Sequence, residues 1–448
     1  MQWTIQETEE IQTLLEKKSW GKLRAIIIEM PVPDASDLLL TLPKQDRVVL
    51  FRLMPREQAG DVFAYLERSD RDNLLDALTD EETRNLLAEL SPDERTELFE
   101  EMPGEVTQKL LNLLNKEDLK ETRLLLGYPE ESVGRLMTPD YVAVRSHWSV
   151  ERVLKHIRKQ AEHSETLSTI YVVDDHWKLT DALTLETFVL AEPEQIVEDL
   201  MDYQFEFLSA FEDRERAVEV LQRYDVSVLP VVDSAGVLVG IVTFDDVIDV
   251  AAEEATEDFH KFAAVTPLQE SYLQTNLFEI FRKRIVWLLV LVFMNVFSGS
   301  AIASFEETIA VAVALVFFMP LIMGSGGNAG AQASTLVIRA LSLGDVKISD
   351  WARLLFKDIA VSLLLGIAMG LAVSALGFIR GGPQIGLTVA LTMVCVVLVG
   401  SSLGTLLPLL LSKLGLDPAA ASAPLITSLA DISGVIIYFS IANMILGL

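Results

Sequence analysis

The sequence has 448 residues, a single cysteine and five scattered histidines, which excludes a disulfide framework, a cysteine-based zinc site and an HExxH metalloenzyme. Residues 276–448 contain nine Lys and Arg against eight Asp and Glu, so residues 1–275 hold 27 basic and 57 acidic residues and carry a formal charge of −30. Such an acidic half argues against nucleic-acid binding, because a phosphate backbone needs a basic surface, and it favours cation binding.

The first predicted element is a set of short helices with a period of 12 residues. One phase of this repeat is apolar throughout: Leu38, Leu50, Val62, Leu74, Leu86, Leu98 and Leu110. Twelve residues accommodate one short helix and a turn, and such a unit cannot bury its apolar face alone. The pattern therefore predicts an α-helical solenoid within an N-terminal domain of residues 1–130.

Strand and helix patterns then occur in two copies, predicted as domains of residues 131–199 and 200–258. The second copy has a helix near 214–223, strands at 228–233 and 239–246, and a turn at Ser234-Ala-Gly236. It resembles a CBS domain, a module that works in tandem pairs and often binds adenosine nucleotides. In the first copy, residues 178–184 replace the Gly-x-Val-Thr turn of that family, so only a divergent CBS fold is expected there, and ATP binding by the pair is a weaker expectation.

An acidic helix is predicted at the end of the second copy. Residues 245–258 contain seven acids and no base, and like charges three or four positions apart on a helix cost about 0.2–0.5 kcal/mol per pair. Bound cations would offset this repulsion. Residues 259–284 are predicted to continue as a connecting helix that ends at the membrane surface in an amphipathic segment, 276–284.

The remainder, residues 285–448, is predicted to be a transmembrane domain of five helices. A bilayer core requires about 20 apolar residues in a helix, and five uncharged apolar stretches are present: 285–305, 308–338, 359–379, 381–412 and 418–430, the last continuing past Asp431. The second and fourth exceed one span and contain proline and glycine, so broken or extended helices are expected there.

Basic residues are concentrated at one end of the predicted membrane spans, and this distribution predicts how the protein is oriented in the membrane. Arg282, Lys283 and Arg284 precede the first span, whereas the opposite connections hold only Arg380. This asymmetry predicts a multi-pass protein of the cell inner membrane or plasma membrane, with the N-terminus cytoplasmic and the C-terminus outside.

Asp431 is the only acid within the predicted final span, about 421–447. It should lie roughly 15 Å deep, near the bilayer midplane. An intramembrane carboxylate is costly and usually belongs to an ion pathway. A structural alternative is a hydrogen bond to Ser433, Thr427 or another helix.

The second apolar stretch contains a cluster of glycines that is also informative about function. Its sequence is Pro320-Leu-Ile-Met-Gly-Ser-Gly-Gly-Asn-Ala-Gly-Ala-Gln332. Glycine at membrane depth either exposes backbone carbonyls along a water-filled path or permits close helix packing. The residues alone leave both possibilities open.

Together with Gly415-Leu-Asp-Pro-Ala419 and Pro424-Leu-Ile-Thr-Ser-Leu-Ala-Asp431, this cluster resembles the membrane signatures of MgtE-type magnesium channels. The order of helical domain, CBS pair, acidic helix and five spans resembles that family over essentially the whole chain. The resemblance implies a homodimeric, Mg²⁺-selective channel that is gated by intracellular Mg²⁺ and serves Mg²⁺ uptake and homeostasis.

The resemblance also implies roles for particular residues. The pore carboxylate would be Asp431, with Asn328 beside it and Asp417 at the cytoplasmic mouth. The Mg²⁺-sensing acids would be Asp61, Asp93, Glu97, Glu215, Asp225, Asp246, Asp249, Glu254, Glu257 and Asp258. Asp61 and Glu97 differ from the family pattern in side-chain length, which affects the expected affinity rather than the choice of cation, because a hard cation accepts either acid.

Three other classes of function compete with this interpretation. The main alternative is a secondary carrier that couples divalent cations to H⁺ or Na⁺. A membrane-embedded enzyme is disfavoured because no second carboxylate, His or Lys accompanies Asp431 within a predicted span. A regulatory scaffold without transport would leave Asp431 and the glycine cluster unexplained.

Overall fold

A computed structural model describes residues 5–268, 272, 275–342 and 344–447. The chain divides into two compact units, residues 1–251 and 252–448.

The first unit begins with ten short helices that confirm the predicted helical N-terminal domain. They are α1 (Ile5–Glu16), α2 (Trp20–Ile28), α3 (Val32–Thr41), α4 (Lys44–Leu53), α5 (Arg56–Ala64), α6 (Arg68–Leu75), α7 (Asp80–Glu89), α8 (Pro92–Glu101), α9 (Gly104–Leu111) and α10 (Lys116–Leu125). From α3 to α10 each helix starts 12 residues after the previous one. Alternate helices pack on each other, α2 on α4, α3 on α5, α5 on α7 and α8 on α10, and the repeated leucines form one continuous core.

The residue before each repeat helix explains why the helices start in register. It is proline before α3, α4, α5 and α9, where the fixed φ suits a helix start. Before α7 and α8 it is Thr79 and Ser91, and each forms a capping box with the glutamate three residues later. The 12-residue period is therefore a period of caps as well as of apolar residues.

The first unit continues into two small sheets of identical topology, which confirms the tandem CBS-like pair. The elements are α11 (Val133–Leu136), β1 (Ala143–Val144), α12 (Val150–Gln160), β2 (Thr169–Val173), β3 (Leu179–Thr184), α13 (Leu185–Leu190), β4 (Leu208–Ser209), α14 (Glu215–Tyr224), β5 (Val228–Val232), β6 (Leu238–Thr243) and α15 (Phe244–Phe262). In each sheet a short strand lies parallel to the middle strand, which pairs antiparallel with the third. The register shift falls at the same place in both copies, after Val172 and after Val231.

The divergent segment of the first copy, residues 178–184, still forms the third strand, β3, but its side chains make different contacts from those of β6 in the second copy. By strand register Asp181 occupies the position of Gly240, whose added Cβ would lie 2.7 Å from Met137 Sδ. The buried Asp181 accepts hydrogen bonds from the backbone N–H groups of Asp202 and Tyr203, at 3.0 and 3.1 Å. Its carboxylate therefore holds the linker between the two copies.

Two predicted boundaries are wrong at the end of this region. The last strand was expected to reach Asp246, but it ends at Thr243, because the Thr243 hydroxyl donates to Asp246 Oδ2 at 2.5 Å and a helix begins. The connecting helix expected over 259–284 is not one element, since α15 ends at Phe262 and the next helix starts at Leu277. Asn276 caps that next helix by accepting from Phe278 N–H, so the predicted amphipathic connector is its first turns.

The second unit is predominantly helical and apolar. After the end of α15 it contains α16 (Leu277–Ala303), α17 (Glu306–Val311), α18 (Ala314–Ser342), α19 (Trp351–Lys413) and α20 (Ala423–Leu446). Within the described residues, four helices are long and apolar enough to cross a membrane, α16, α18, α19 and α20.

The longest helix, α19, folds back on itself. It has 63 residues, about 95 Å if straight, which is three times the thickness of a bilayer core. Gly382 interrupts it with φ 78° and ψ −175°. A Cβ on Gly366, Gly370 or Gly377 would lie within 3 Å of Val394, Ala390 or Gly386, so the two halves pack antiparallel.

Glycines also control the packing of α18. The stretch with Pro320 and the glycine cluster was expected to form a broken or extended helix, and α18 is one extended helix of 29 residues from Ala314 to Ser342. A Cβ on Gly330 would lie 2.6 Å from the Gly400 carbonyl oxygen, and one on Gly327 would lie 2.7 Å from Thr427 Cγ2. Close helix packing is therefore the structural role of these glycines, and neighbouring helices hold the proline-containing helix in place.

Candidate functional site

Asp431 lies in the middle of the membrane-type helix bundle. It is eight residues after the start of α20, about 12 Å along the helix, and it is partly buried. The hydroxyls of Ser433 and Thr427 donate to the carbonyls of Leu429 and Ala423 instead of to Asp431. Among the described residues no hydrogen bond or ion pair to the Asp431 carboxylate is present, so the structural alternative with Ser433 or Thr427 is not seen.

Asn328 lies on the neighbouring helix within about one turn of the level of Asp431. Gly327 packs against Thr427, one helical turn before Asp431, and this contact fixes the relative height of α18 and α20. Asn328 is exposed in the single chain, unlike Gly326, Gly327 and Gly330. The Asn328 amide is therefore exposed at about the height of the partly buried Asp431 carboxylate.

Asp417 forms a charged cluster with the end of α15. Its Oδ1 accepts from Ala419 N–H at 2.7 Å, and its Oδ2 lies 2.7 Å from Lys261 Nζ. Lys261 also pairs with Glu257, and Ser342 donates to Asp258 at 3.3 Å. Burial and the nearby Asp417 raise the pKa of Asp258. Two carboxylates, Asp417 and Glu257, thus share the Lys261 ammonium group, and Asp258 lies near them.

A second acidic cluster joins the helical domain to the CBS pair within the first unit. Asp93, in the first turn of α8, lies near Asp246 and Glu165, and its Oδ1 is buried without a hydrogen-bond partner. Burial and the Asp246 carboxylate raise the pKa of Asp93 well above its ordinary value. Burial, with Asp245 and Glu165, raises the pKa of Asp246 to about 7. Among the described residues, no Lys or Arg forms an ion pair with Asp93 or Asp246 that would stabilise the ionised form of this cluster.

The remaining predicted sensor acids are dispersed. Glu97 pairs with Arg71 at 3.1 Å, whereas burial and Glu57 raise the pKa of Asp61. The others are Glu215 at the start of α14, Asp225 at its left-handed C-cap, and Asp249 and Glu254 on α15. In the described part of the single chain, no three His, Cys, Asp or Glu side chains are arranged to hold a metal ion.

Two groups of residues were missed by sequence reasoning. Asp358 lies about two turns inside α19 and accepts from Ser401 Oγ at 2.7 Å. A second carboxylate therefore lies within a helix that is long and apolar enough to cross a membrane, and the sequence argument against a membrane-embedded enzyme did not count it. Basic residues follow Trp351, and for that reason this segment was predicted to be a connection between spans. Asp358 was therefore placed outside the spans.

Aromatic and basic side chains near the second CBS copy were also missed, because they come from the first copy. Trp177 Nε1 donates to the Tyr141 hydroxyl at 3.0 Å, and that hydroxyl donates to the Leu238 carbonyl at 3.0 Å. The Arg145 guanidinium lies 4.8 Å from the Trp177 ring centroid. Only the pairing of the two copies brings these residues together.

An apolar helix bundle with a carboxylate in the middle of one helix, preceded by a strongly acidic half, is typical of multi-pass membrane proteins that handle cations. Family models match residues 30–131 (MgtE intracellular N domain), 133–193 and 197–253 (CBS domain), and 319–441 (MgtE, divalent cation transporter).

Individual relatives agree with these matches. The chain is 38% identical over 335 residues to the magnesium transporter MgtE of Thermus thermophilus, covering 75% of this chain and 74% of that protein. It is 37% identical over 331 residues to the magnesium transporter MgtE of Bacillus subtilis, covering 74% and 73%. The solved cytosolic domain of the Mg²⁺ channel MgtE in complex with ATP aligns with a TM-score of 0.52 and 34% identity, covering 54% of this chain and 99% of that one. The chain belongs to the MgtE family of magnesium transporters.

Proposed function

We propose that this family member is a homodimeric, Mg²⁺-selective channel that intracellular Mg²⁺ closes. The observation that carries the proposal is Asp431, a carboxylate without a hydrogen bond or ion pair among the described residues, in the middle of an apolar helix. Mg²⁺ sheds its water reluctantly and needs a few carboxylates with retained waters rather than a closed protein cage. Two Asp431 side chains facing each other across a dimer axis meet that requirement.

The dimer is supported by the exposure of the pore candidates. Asn328 is exposed although its neighbours in α18 are packed against other helices. A polar amide on a lipid-facing surface would lack hydrogen-bond partners, which is costly in a bilayer. A second copy that places its own Asn328 and Asp431 opposite would convert this surface into a water-filled path.

Five membrane crossings follow from treating each half of α19 as one span. The hairpin at Gly382 then brings Trp351 and Lys413 to the same side of the membrane. Arg282, Lys283 and Arg339 would also lie on that side, which the positive-inside rule makes cytoplasmic. The N-terminus is then cytoplasmic and the C-terminus outside.

The acids of the cytoplasmic half are proposed as the Mg²⁺ sensor. Asp93 and Asp246 repel each other in a buried setting, and a divalent cation would remove that repulsion. Moving a two-state gate from 1:99 to 99:1 needs about 5.5 kcal/mol of differential binding. Several weak sites acting together provide this, so closure should be steep in Mg²⁺. The proposed sensor acids are Asp61, Asp93, Glu97, Glu215, Asp225, Asp246, Asp249, Glu254, Glu257 and Asp258.

ATP is proposed as a regulatory ligand of the CBS pair. The related cytosolic domain was solved in complex with ATP. In this chain, Tyr141, Trp177 and Arg145 offer aromatic and cationic groups beside the second copy, and such groups suit an adenine ring and a phosphate.

Substitution of Asp431 tests the channel proposal. We expect Asp431→Asn to reduce Mg²⁺ flux into proteoliposomes at least tenfold, because the amide keeps the shape and loses the charge that binds the ion. Asp345→Asn is a matched control in the same unit, outside the proposed spans. Wild-type flux and selectivity in Asp431→Asn would refute the ligand role, and flux that requires an opposing H⁺ or Na⁺ gradient would favour the carrier.

A further inference from the structure

A groove opens at the base of the α19 hairpin, beside the two ends of that helix. Its volume is about 630 Å³, and its walls come from both ends of α19 and from the single 3₁₀ turn Ile348–Asp350 that precedes α19. Most of the side chains that face the groove are apolar. They include Trp351, Leu403, Leu406, Leu407 and Leu410, and the chain of Lys413 also faces it.

The length of the groove matches one leaflet of a bilayer. Its leucines recur at intervals of three and four residues, so they form one stripe along α19. From Leu403 to Lys413 the helix rises about 15 Å, whereas a bilayer core is about 30 Å thick. Because α19 ends at Lys413, the groove extends from the membrane surface to about the midplane.

The apolar walls of the groove are not covered by the chain itself. Trp351 is 53% exposed, Leu410 52% and Leu406 37%. A flat apolar surface in a bilayer contacts many lipid chains in turn, whereas a concave surface encloses one chain and contacts more of it. The shape and the depth of this groove therefore suit a single acyl chain.

The polar groups at the surface end of the groove indicate the headgroup. Lys413 is exposed, and among the described residues neither its ammonium group nor the Ser349 hydroxyl has a hydrogen-bond or ion-pair partner. The adjacent acid, Asp350, accepts a hydrogen bond from the Lys347 backbone N–H at 3.2 Å. A cation and a hydroxyl donor at headgroup level match a phosphate that carries net negative charge.

A second copy of the chain is a poorer occupant than a lipid. Two copies that met through this same surface would bring their Lys413 ammonium groups together, because such an interface is self-complementary. We propose that the groove binds one phospholipid with an anionic headgroup, with an acyl chain along the leucine stripe and the phosphate at Lys413 and Ser349. In the orientation proposed above, this lipid belongs to the cytoplasmic leaflet.

The test uses the full-length protein, stripped of lipid in detergent and then mixed with equal amounts of phosphatidylglycerol and phosphatidylcholine that carry the same acyl chains. Native mass spectrometry counts the lipids retained per chain. We expect one phosphatidylglycerol per chain, retained about fivefold in preference to phosphatidylcholine, as one lysine near a phosphate predicts. Glycerol 3-phosphate should not compete, because it lacks the acyl chain. Equal retention of the two lipids would overturn the proposal, as would full competition by glycerol 3-phosphate.

Variants of the groove distinguish a specific site from general surface charge. Lys413→Gln should remove the preference for phosphatidylglycerol, and Lys413→Arg should keep it. Lys357→Gln is the matched control, because it makes the same change of charge in the same helix at a residue that does not face the groove. An equal loss of preference in Lys357→Gln would refute the site.

A second variant tests the apolar part of the groove. Leu406→Trp fills the groove with a larger apolar side chain and should lower the retention of phosphatidylglycerol at least fivefold, although Lys413 is unchanged. Retention at the wild-type level in Leu406→Trp would mean that the lipid binds elsewhere, which would overturn the assignment.

Asp431→Asn separates this site from the proposed channel function. It should retain phosphatidylglycerol as the wild type does, even though Mg²⁺ flux is reduced. Retention in detergent also does not depend on which side of the membrane the groove faces, so the lipid site can fail without the channel proposal and the reverse. Loss of the lipid in Asp431→Asn would place it at the pore surface and overturn the groove assignment.

Discussion

At the scale of single residues, the Lys261 ammonium group lies among carboxylates that are proposed to bind Mg²⁺. Its ammonium group lies 2.7 Å from Asp417 Oδ2 and also pairs with Glu257. Burial disfavours its charge, but the two carboxylates outweigh that effect, and the net pKa of Lys261 is raised. The lysine therefore stays charged and would compete with a Mg²⁺ ion that bound the same oxygens.

Removal of this competitor should make closure more sensitive to Mg²⁺. We expect Lys261→Met to lower the Mg²⁺ concentration for half-closure about threefold to tenfold, since a partly exposed ion pair contributes about 1 kcal/mol. The measurement is single-channel current in bilayers as cytoplasmic Mg²⁺ is stepped. Lys283→Met, which removes a lysine paired with Glu279, is the control. An unchanged or higher half-closing concentration in Lys261→Met would contradict the competition.

Glu82 provides a prediction about pH that does not involve the cation sites. The Arg52 side chain and the Thr79 backbone N–H both donate to its carboxylate, and they lower the pKa of Glu82 to about 2. Because the folded pKa lies below the ordinary value of 4.5, ionised Glu82 stabilises the folded state. This contribution is complete above pH 4.5 and is lost as the pH falls towards 2.

We therefore expect Glu82→Gln to lower the free energy of unfolding of the helical domain by about 1 kcal/mol at pH 7, a value discounted for the exposure of the pair. The difference from the wild type should shrink below pH 4.5 and vanish near pH 2. Thermal unfolding over a pH series measures it. Glu81→Gln is the control, since the described residues show no hydrogen bond or ion pair to that carboxylate. A difference that persists at pH 2 would exclude this linkage.

At the scale of elements, the glycines of α18 divide into packed and unpacked positions. A Cβ on Gly330 would lie 2.6 Å from the Gly400 carbonyl oxygen and 2.7 Å from Ile426 Cγ2, whereas one on Gly324 would meet nothing within 4 Å. We expect Gly330→Ala to destabilise the membrane domain by about 1–3 kcal/mol, because the backbones must separate. Gly324→Ala, in the same helix, should be neutral or stabilising.

The Tm of the two glycine variants in detergent, followed by fluorescence-detected size exclusion after heating, distinguishes them. Equal Tm values would mean that α18 and α19 do not pack through Gly330. The same comparison shows why the sequence left two roles open for the cluster. Both roles require small residues at helical spacing, and only the position of the Gly400 carbonyl distinguishes them.

At the scale of the whole molecule, the charge of the first 275 residues should make their compactness depend on Mg²⁺. Their formal charge of −30 produces self-repulsion. An ion that binds only the compact state stabilises it by about 2.7 kcal/mol per site at one hundred times its Kd. Limited proteolysis of the full-length protein should therefore slow within this half as Mg²⁺ rises through the millimolar range. Digestion that is independent of Mg²⁺ at fixed ionic strength would contradict the prediction.

Periodic features were determined by the sequence itself. The 12-residue repeat, the alternation of strands and helices in two copies, and the long apolar stretches each depend on spacing along the chain. Asp431 could be identified because a charge stands out within an apolar stretch, whatever the packing around it.

Features that depend on residues distant in sequence were decided only by the tertiary structure. Asp358 follows basic residues and resembled part of a connection until α19 was seen to begin at Trp351 and to fold back at Gly382. Its hydrogen-bond partner Ser401 is 43 residues away in the sequence. Lys261 and Asp417 are likewise distant in sequence, and they form an ion pair because α15 lies beside the turn before α20. A local pattern records which residues can form a helix, but hydrogen bonds and charge pairs between helices depend on which faces the packing brings together.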